Sequence, residues 1–189
     1  MEYIIKFDRE IFLMINSLHA EWLNSPMLFF SGQIIWAPFI LFILYYAYFQ
    51  MNKKYFYLFL LFLAMTIISS DVSSSYLMKN IFQRMRPCRL DELKPFIYQF
   101  GQKCGGKYGF VSSHAANSFA AITFSTLCLK FRPKFFRLFW ILPCLVAYSR
   151  IYTGVHYPGD VIMGSIVGII FGMLMALLYK NSTLRGEPT

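Results

Sequence analysis

Apolar residues gather along this chain into long blocks divided by short polar stretches, and the blocks are sized for a bilayer rather than for a soluble core. A helix rising about 1.5 Å per residue needs roughly 20 apolar residues to cross about 30 Å of hydrocarbon. Gln33–Gln50, Tyr55–Ser70, Ala115–Leu129 and Val161–Tyr179 qualify or come close once their flanks are counted. The shorter, aromatic-rich Phe135–Tyr148 makes a fifth with its flanks. The Tyr55 block continues through Asp71–Met78 as a helical extension reaching Phe82. Phe7–Phe30 differs. There Ile11, Phe12, Met14, Ile15 and Leu18 recur at helical spacing among Asp8, Arg9, Glu10 and Asn16, the pattern of a helix lying in the membrane interface. A re-entrant or sixth spanning element across Trp22–Phe30 stays open. The expected fold is all-α: an integral-membrane helical bundle of five to six transmembrane helices with an N-terminal interfacial helix. No internal repeat or linker interrupts it, so residues 1–189 are read as a single domain.

Composition sharpens this picture. Hydrophobic residues make up 57% and charged residues 14%, against about 45–50% and roughly 25% in soluble domains. The 20% aromatic content suits membrane interfaces. A net charge of +9 would suit nucleic acid, but a solvated basic surface needs far more polar residues around it, so no nucleic-acid partner is expected. Met1–Glu10 is too charged for a cleavable signal, and insertion is expected to come from the internal segments. With five spans, one side collects Lys53, Lys54, Lys130, Arg132, Lys134, Arg137, Lys180 and Arg185 against Glu187 alone. The other side holds ten basic and eight acidic residues. Basic loops stay in the cytoplasm. The loop Arg84–Ser113, the turn Arg150–Gly159 and the N-terminal segment are therefore expected outside.

Three polar clusters interrupt the apolar chain, all on that outer side. In the first, Lys79 and Arg86 stand seven apart, about two helical turns, so one helix face would carry both, with Pro87 ending the helix. Two cations with no acidic partner at that spacing await an anion. Snorkelling of long basic side chains at the interface is the plainer reading of this cluster alone. In the second, Ser112, Ser113 and His114 precede an apolar helix, where hydroxyls and free backbone N–H groups suit an oxyanion. Ordinary N-capping by either serine stands beside that reading. In the third, Ser149-Arg150 leads to His156 and Asp160, whose i, i+4 spacing can set the carboxylate beside the imidazole. A carboxylate on one ring nitrogen fixes the tautomer and makes the other nitrogen more nucleophilic. Metal ligation is the rival, weak in a chain with three histidines and no acidic cluster. Together the clusters match phosphoryl transfer: cations for the equatorial oxygens, a nucleophile in line, and an acid for the leaving group.

At these residues the chain resembles the type 2 phosphatidic acid phosphatase family, which includes the vanadium haloperoxidases. The family pattern is K-x6-R-P, then P-S-G-H, then S-R-x5-H-x3-D. Lys79, Arg86 and Pro87 match the first, and Ser149, Arg150, His156 and Asp160 match the third. In the middle motif Ser112 and His114 match, while Val111 and Ser113 replace proline and glycine. The resemblance implies His156 as the nucleophile that forms a phosphohistidine, Asp160 as its support and His114 as the acid on the leaving oxygen. Lys79, Arg86, Ser112, Ser113 and Arg150 would bind the phosphate. No metal or other cofactor is implied.

The implied activity is a membrane lipid phosphate or diphosphate phosphatase at the outer face of a bacterial inner membrane, with the lipid and the bilayer as its partners. Undecaprenyl diphosphate is the first expected substrate, with the lipid A 1-phosphate and phosphatidylglycerophosphate next. A lipid phosphotransferase or a non-enzymatic lipid-binding protein is more remote. Cys88 and Cys104 share the long outer loop, where a disulfide is expected, two free thiols being the other reading. Cys128 and Cys144 fall in apolar segments as packing residues.

Overall fold

The computed structural model describes residues 2–32, 34–101, 103–130 and 133–184. Gln33, at the head of the first apolar block, and Arg132, Arg185 and Glu187 of the charge count lie outside the described residues, as do the side chains of Lys134 and Arg137. The chain runs α1 (Glu2–Ser17), α2 (Glu21–Ser31), α3 (Trp36–Gln50), α4 (Lys53–Asp71), a π-helical turn (Val72–Met78), α5 (Lys79–Phe82), α6 (Ser113–Cys128), α7 (Pro133–Tyr152) and α8 (Pro158–Leu184). Among the described residues the only strand-like pairing is an isolated antiparallel bridge, Met85 to Tyr108.

Local chemistry sets the helix ends. Asn52 starts α4 by accepting the Tyr55 N–H at 3.0 Å, and Ser112 starts α6 by accepting that of Ala115. Pro158 opens α8 where a missing N–H costs nothing. The extension past Tyr55 reaches Phe82 as expected, giving one helical run of 30 residues with a π-helical stretch inside it. It stops there because Gln83 turns left-handed, φ 47°.

Lys53–Phe82 and the 27-residue Pro158–Leu184 are each long and apolar enough to cross a bilayer. α2 and α3, bent by 53°, make a third span if taken together. Among the described residues, fewer helices meet that length and composition than the five or six spans expected. α6 has 16 residues, and the apolar part of α7 is Leu138–Tyr152. The reason is position. α6 is the central helix, with eleven of its residues buried against α4, α7 and α8, so lipid thickness does not set its length. Its alanines and serines present little bulk, and Gly164, Gly168 and Gly172 of α8 ride directly on it. A Cβ on Gly168 would overlap the Ala116 carbonyl oxygen.

One apolar core, around Phe59, Leu63, Ile122, Phe124 and Tyr179, fills the bundle. A second, around Phe12, Leu93, Phe119, Ile151 and Tyr157, lies under the polar clusters. α1 belongs to both protein and interface. Phe12 and Asn16 are buried, while Tyr3, Ile4, Phe7, Met14 and Leu18 are exposed. Asn16 is not part of a solvated face: its side chain donates to the carbonyls of Tyr98 and Tyr152 and accepts from the Tyr98 N–H.

Candidate active site

Arg86 reaches the site by a route that helical spacing did not foresee. Since the helix ends at Phe82, Lys79 and Arg86 do not share a helix face. Instead residues 84–86 pair with 107–109: Gly109 donates its N–H to the Arg84 carbonyl at 2.8 Å, and Arg86 donates to that of Lys107 at 3.3 Å. Cys88 and Cys104 are disulfide-bonded just beyond, with Cα atoms 5.9 Å apart, stapling the same ribbon. Gly109 sits at a close approach of the chain. A Cβ there would sit 3.0 Å from Asp160 Oδ2 and 3.2 Å from Arg86 Cγ.

The third cluster folds as the end of α7, a turn, and the first turn of α8. Val155 and His156 both donate backbone N–H groups to the Arg150 carbonyl at 3.2 Å, with Gly154 at φ 75° making the turn. Asp160 reaches back to accept the Tyr157 N–H at 3.0 Å, as an acidic residue early in a helix often does. The same Oδ2 lies 3.4 Å from His156 Nδ1. That places the ring proton on Nδ1 and leaves the lone pair on Nε2, which accepts from Arg86 Nη1 at 3.0 Å. His156 is 1% exposed and Asp160 fully buried. Burial, then the neighbouring Arg86, Arg150 and Lys79, holds the His156 imidazole well below the usual histidine range. At neutral pH it carries an unprotonated Nε2 among cations, which suits attack on an anionic phosphate.

The remaining expected residues divide. Lys79 Nζ donates to Ser113 Oγ at 3.3 Å, tying the first cluster to the second. His114 makes no hydrogen bond among the described residues and lies in electrostatic reach of Arg150, His156, Lys79 and Arg86. With Ser113 it lines a cavity of about 270 Å³ that extends to Asp71, Asn117, Trp36 and Ile40. Arg150 is held through Nη1 by Ser31 of α2, while its buried Nε has no partner among the described residues, a donor still to be used. Ser112 is spent on structure: its backbone N–H donates to the Asp160 carbonyl at 2.9 Å, and its hydroxyl caps α6. Among the described residues no three His, Cys, Asp or Glu side chains gather as a metal-ligand set.

Two residues that contact the site are not among the defining positions of the three motifs. Arg84 pairs with Asp160 Oδ1 at 2.9 Å and with Asp8 Oδ2 at 2.7 Å, and lies 4.0 Å over the Tyr157 ring. Asp8 also accepts the Gly159 N–H at 2.8 Å, so α1 is bolted to the base of the site. The available signal was weak: an arginine two positions before Arg86, and one acid in an otherwise amphipathic helix.

A model of the PAP2 superfamily matches residues 60–184. The chain is similar to a lipid A 4'-phosphatase of Bacteroides thetaiotaomicron, 30% identical over 98% of this chain and 82% of that one. It is likewise similar to an undecaprenyl-diphosphatase of Sulfolobus acidocaldarius, 30% identical over 97% of this chain and 84% of the relative. Among solved structures, a transmembrane PAP2-type phosphatidylglycerolphosphate phosphatase from Bacillus subtilis shares the fold. Its TM-score is 0.70 at 20% identity, over 99% of this chain and 89% of that one.

Proposed function

This chain belongs to the PAP2 superfamily and is a membrane lipid phosphatase, and we propose that it works through a phosphohistidine on His156. The observation that carries this is the orientation of one ring: Nδ1 on Asp160, Nε2 toward Arg86. An incoming phosphate takes over the Arg86 N–H that now rests on Nε2, with Arg150 Nε and Lys79 supplying further donors. Nε2 bonds to phosphorus as the bond to the leaving oxygen breaks, and His114 gives that oxygen a proton. Water then attacks phosphorus, returns a proton to His114, and frees His156 and inorganic phosphate. The cations neutralise the phosphoryl oxygens throughout, which is the role a metal would otherwise fill, so turnover needs none. The site faces outward from a bacterial inner membrane, a reading supported by the net charge of the loops, eight basic residues against one acidic on the inner side and ten against eight on the outer.

Undecaprenyl diphosphate, expected from the sequence, and a lipid A phosphate each have support from a relative of that name at 30% identity. Purified protein in detergent, with chelator present, should release phosphate from a panel of these two lipids and phosphatidylglycerophosphate. The His156→Ala protein should fold and release none. A phosphate label trapped on the wild-type protein should be acid-labile and absent from that variant. Turnover by His156→Ala would overturn the mechanism, and loss of wild-type turnover to chelator would overturn metal independence.

A further inference from the structure

Asp71 ends α4 inside an apolar helical run, where a carboxylate is costly and marks function. The backbone there switches into the π-helical turn, a distortion that recurs at functional sites. Its Oδ1 accepts from Asn117 Nδ2 at 2.8 Å and from the Ser75 hydroxyl at 3.2 Å. Its Oδ2 accepts nothing among the described residues. The bond to Asp71 also orients the Asn117 amide, whose own Oδ1 is buried and has no partner among the described residues. Asn117 stands one turn beyond His114 on α6, so the two share a face. Both line the 270 Å³ cavity with Asp71, and the apolar part of its lining is Trp36, Ile40, Ile67 and Ala121.

The cavity meets the reactive centre at His114, the end from which the leaving group departs. Whatever fills it is therefore the leaving group. The unfilled anionic acceptor, Asp71 Oδ2, accepts from O–H or N–H groups and repels a second phosphate. A polyprenyl phosphate leaving group carries negative charge and no such donor. A sugar or polyol carries several, and an indole wall suits the C–H face of a sugar ring. Resting on the mechanism above, we propose that Asp71 and Asn117 form a leaving-group subsite that selects phosphates esterified to a donor-bearing sugar or polyol over polyprenyl diphosphates.

The wild-type protein tests this directly with two single-chain lipid phosphates of equal length, 1-acylglycerol 3-phosphate and an alkyl phosphate. The hydroxyl-bearing lipid should be preferred by at least about tenfold in kcat/KM, the range for a hydrogen bond to a charged group. Asp71→Asn keeps the shape and an acceptor for Asn117 but removes the charge. It should shrink the preference for lipid A over undecaprenyl diphosphate by at least about tenfold. No preference in the wild type, or equal losses on both lipids in the variant, overturns the subsite. Should Asp71→Asn fail to fold, the wild-type pair decides alone. Failure of the underlying mechanism reads differently: His114→Ala would then lose equally on p-nitrophenyl phosphate and on the alkyl phosphate, whatever the lipid preference.

Discussion

Removing Arg84 tests whether the proposed nucleophile, His156, depends on a brace outside the cluster of Lys79, Arg86 and Arg150. Its guanidinium holds Asp160 Oδ1 at 2.9 Å and Asp8 Oδ2 at 2.7 Å. Asp160 is fully buried, so in Arg84→Ala its Oδ1 loses a charge-assisted partner that water cannot fully replace. Oδ2 keeps the Tyr157 N–H and the His156 ring, so the support is weakened rather than abolished. A hydrogen bond to a charged group is worth about 1.5–3 kcal/mol, which converts to a loss of roughly ten- to a hundredfold in kcat. Breaking a fully buried pair costs about 3–5 kcal/mol. The Arg84 side chain is 21% exposed, so solvent shares the load and about 2 kcal/mol of stability is expected. KM should change little, because Arg86, Arg150 and Lys79 remain. Arg84→Lys reaches one carboxylate at a time and should fall between the wild type and alanine. Asp8→Asn, which weakens the tie of α1 to Arg84 but leaves the Arg84–Asp160 pair, should lower the melting temperature with a smaller effect on kcat. Phosphate release against lipid concentration, with thermal unfolding in the same detergent, reads all four proteins. An Arg84→Ala kcat within about threefold of wild type, below that energy range, would refute the brace.

His114→Ala should be most damaging for alcohol leaving groups and least for a good leaving group such as p-nitrophenol; equal losses in kcat/KM would remove its role as acid. Reductant or Cys88→Ser should lower stability by roughly 3 kcal/mol, the loop-entropy figure for about 15 residues, and lower activity with it because the bond staples the Arg86 ribbon; thermal scans with and without reductant show whether it does. Gly168→Ala forces α8 off α6 and should cost about 1–3 kcal/mol. Since His156 and Asp160 ride at the head of α8, its kcat should drop as well, and a variant that melts and turns over like wild type would refute the packing. The depressed His156 leaves the folded protein unprotonated where the unfolded chain, below about pH 6.5, takes up a proton. Stability should therefore decline as pH falls from there, and His156→Gln should flatten the decline in chemical unfolding at stepped pH.

Much of this protein is local, and local features are legible in a sequence. Block lengths identify a bilayer protein, because hydrocarbon thickness is a fixed ruler. The His156–Asp160 pairing follows from one helical turn, and the clustering of Lys79, Arg86, His114 and Arg150 follows from three motifs in order. The boundaries of α8 and the run from Lys53 to Phe82 lie close to where the apolar pattern puts them.

Tertiary structure decided what depends on residues far apart in the chain. Arg86 reaches His156 through a ribbon with 107–109, since one left-handed residue, Gln83, breaks the helix that spacing alone would continue. Ser112 was open to two roles by sequence, and the Asp160 carbonyl claimed its N–H. The Arg84–Asp8–Asp160 brace and the Asp71–Asn117 pair rest on contacts between positions 46 to 76 residues apart, and no periodicity encodes such meetings. Among the described residues fewer helices than expected are long and apolar enough to span, because α6 is enclosed by protein rather than lipid and needs close contact instead of length. Hydrophobic pattern reports which surfaces leave water; which surface each then meets is settled by close packing, and that is where the site was completed.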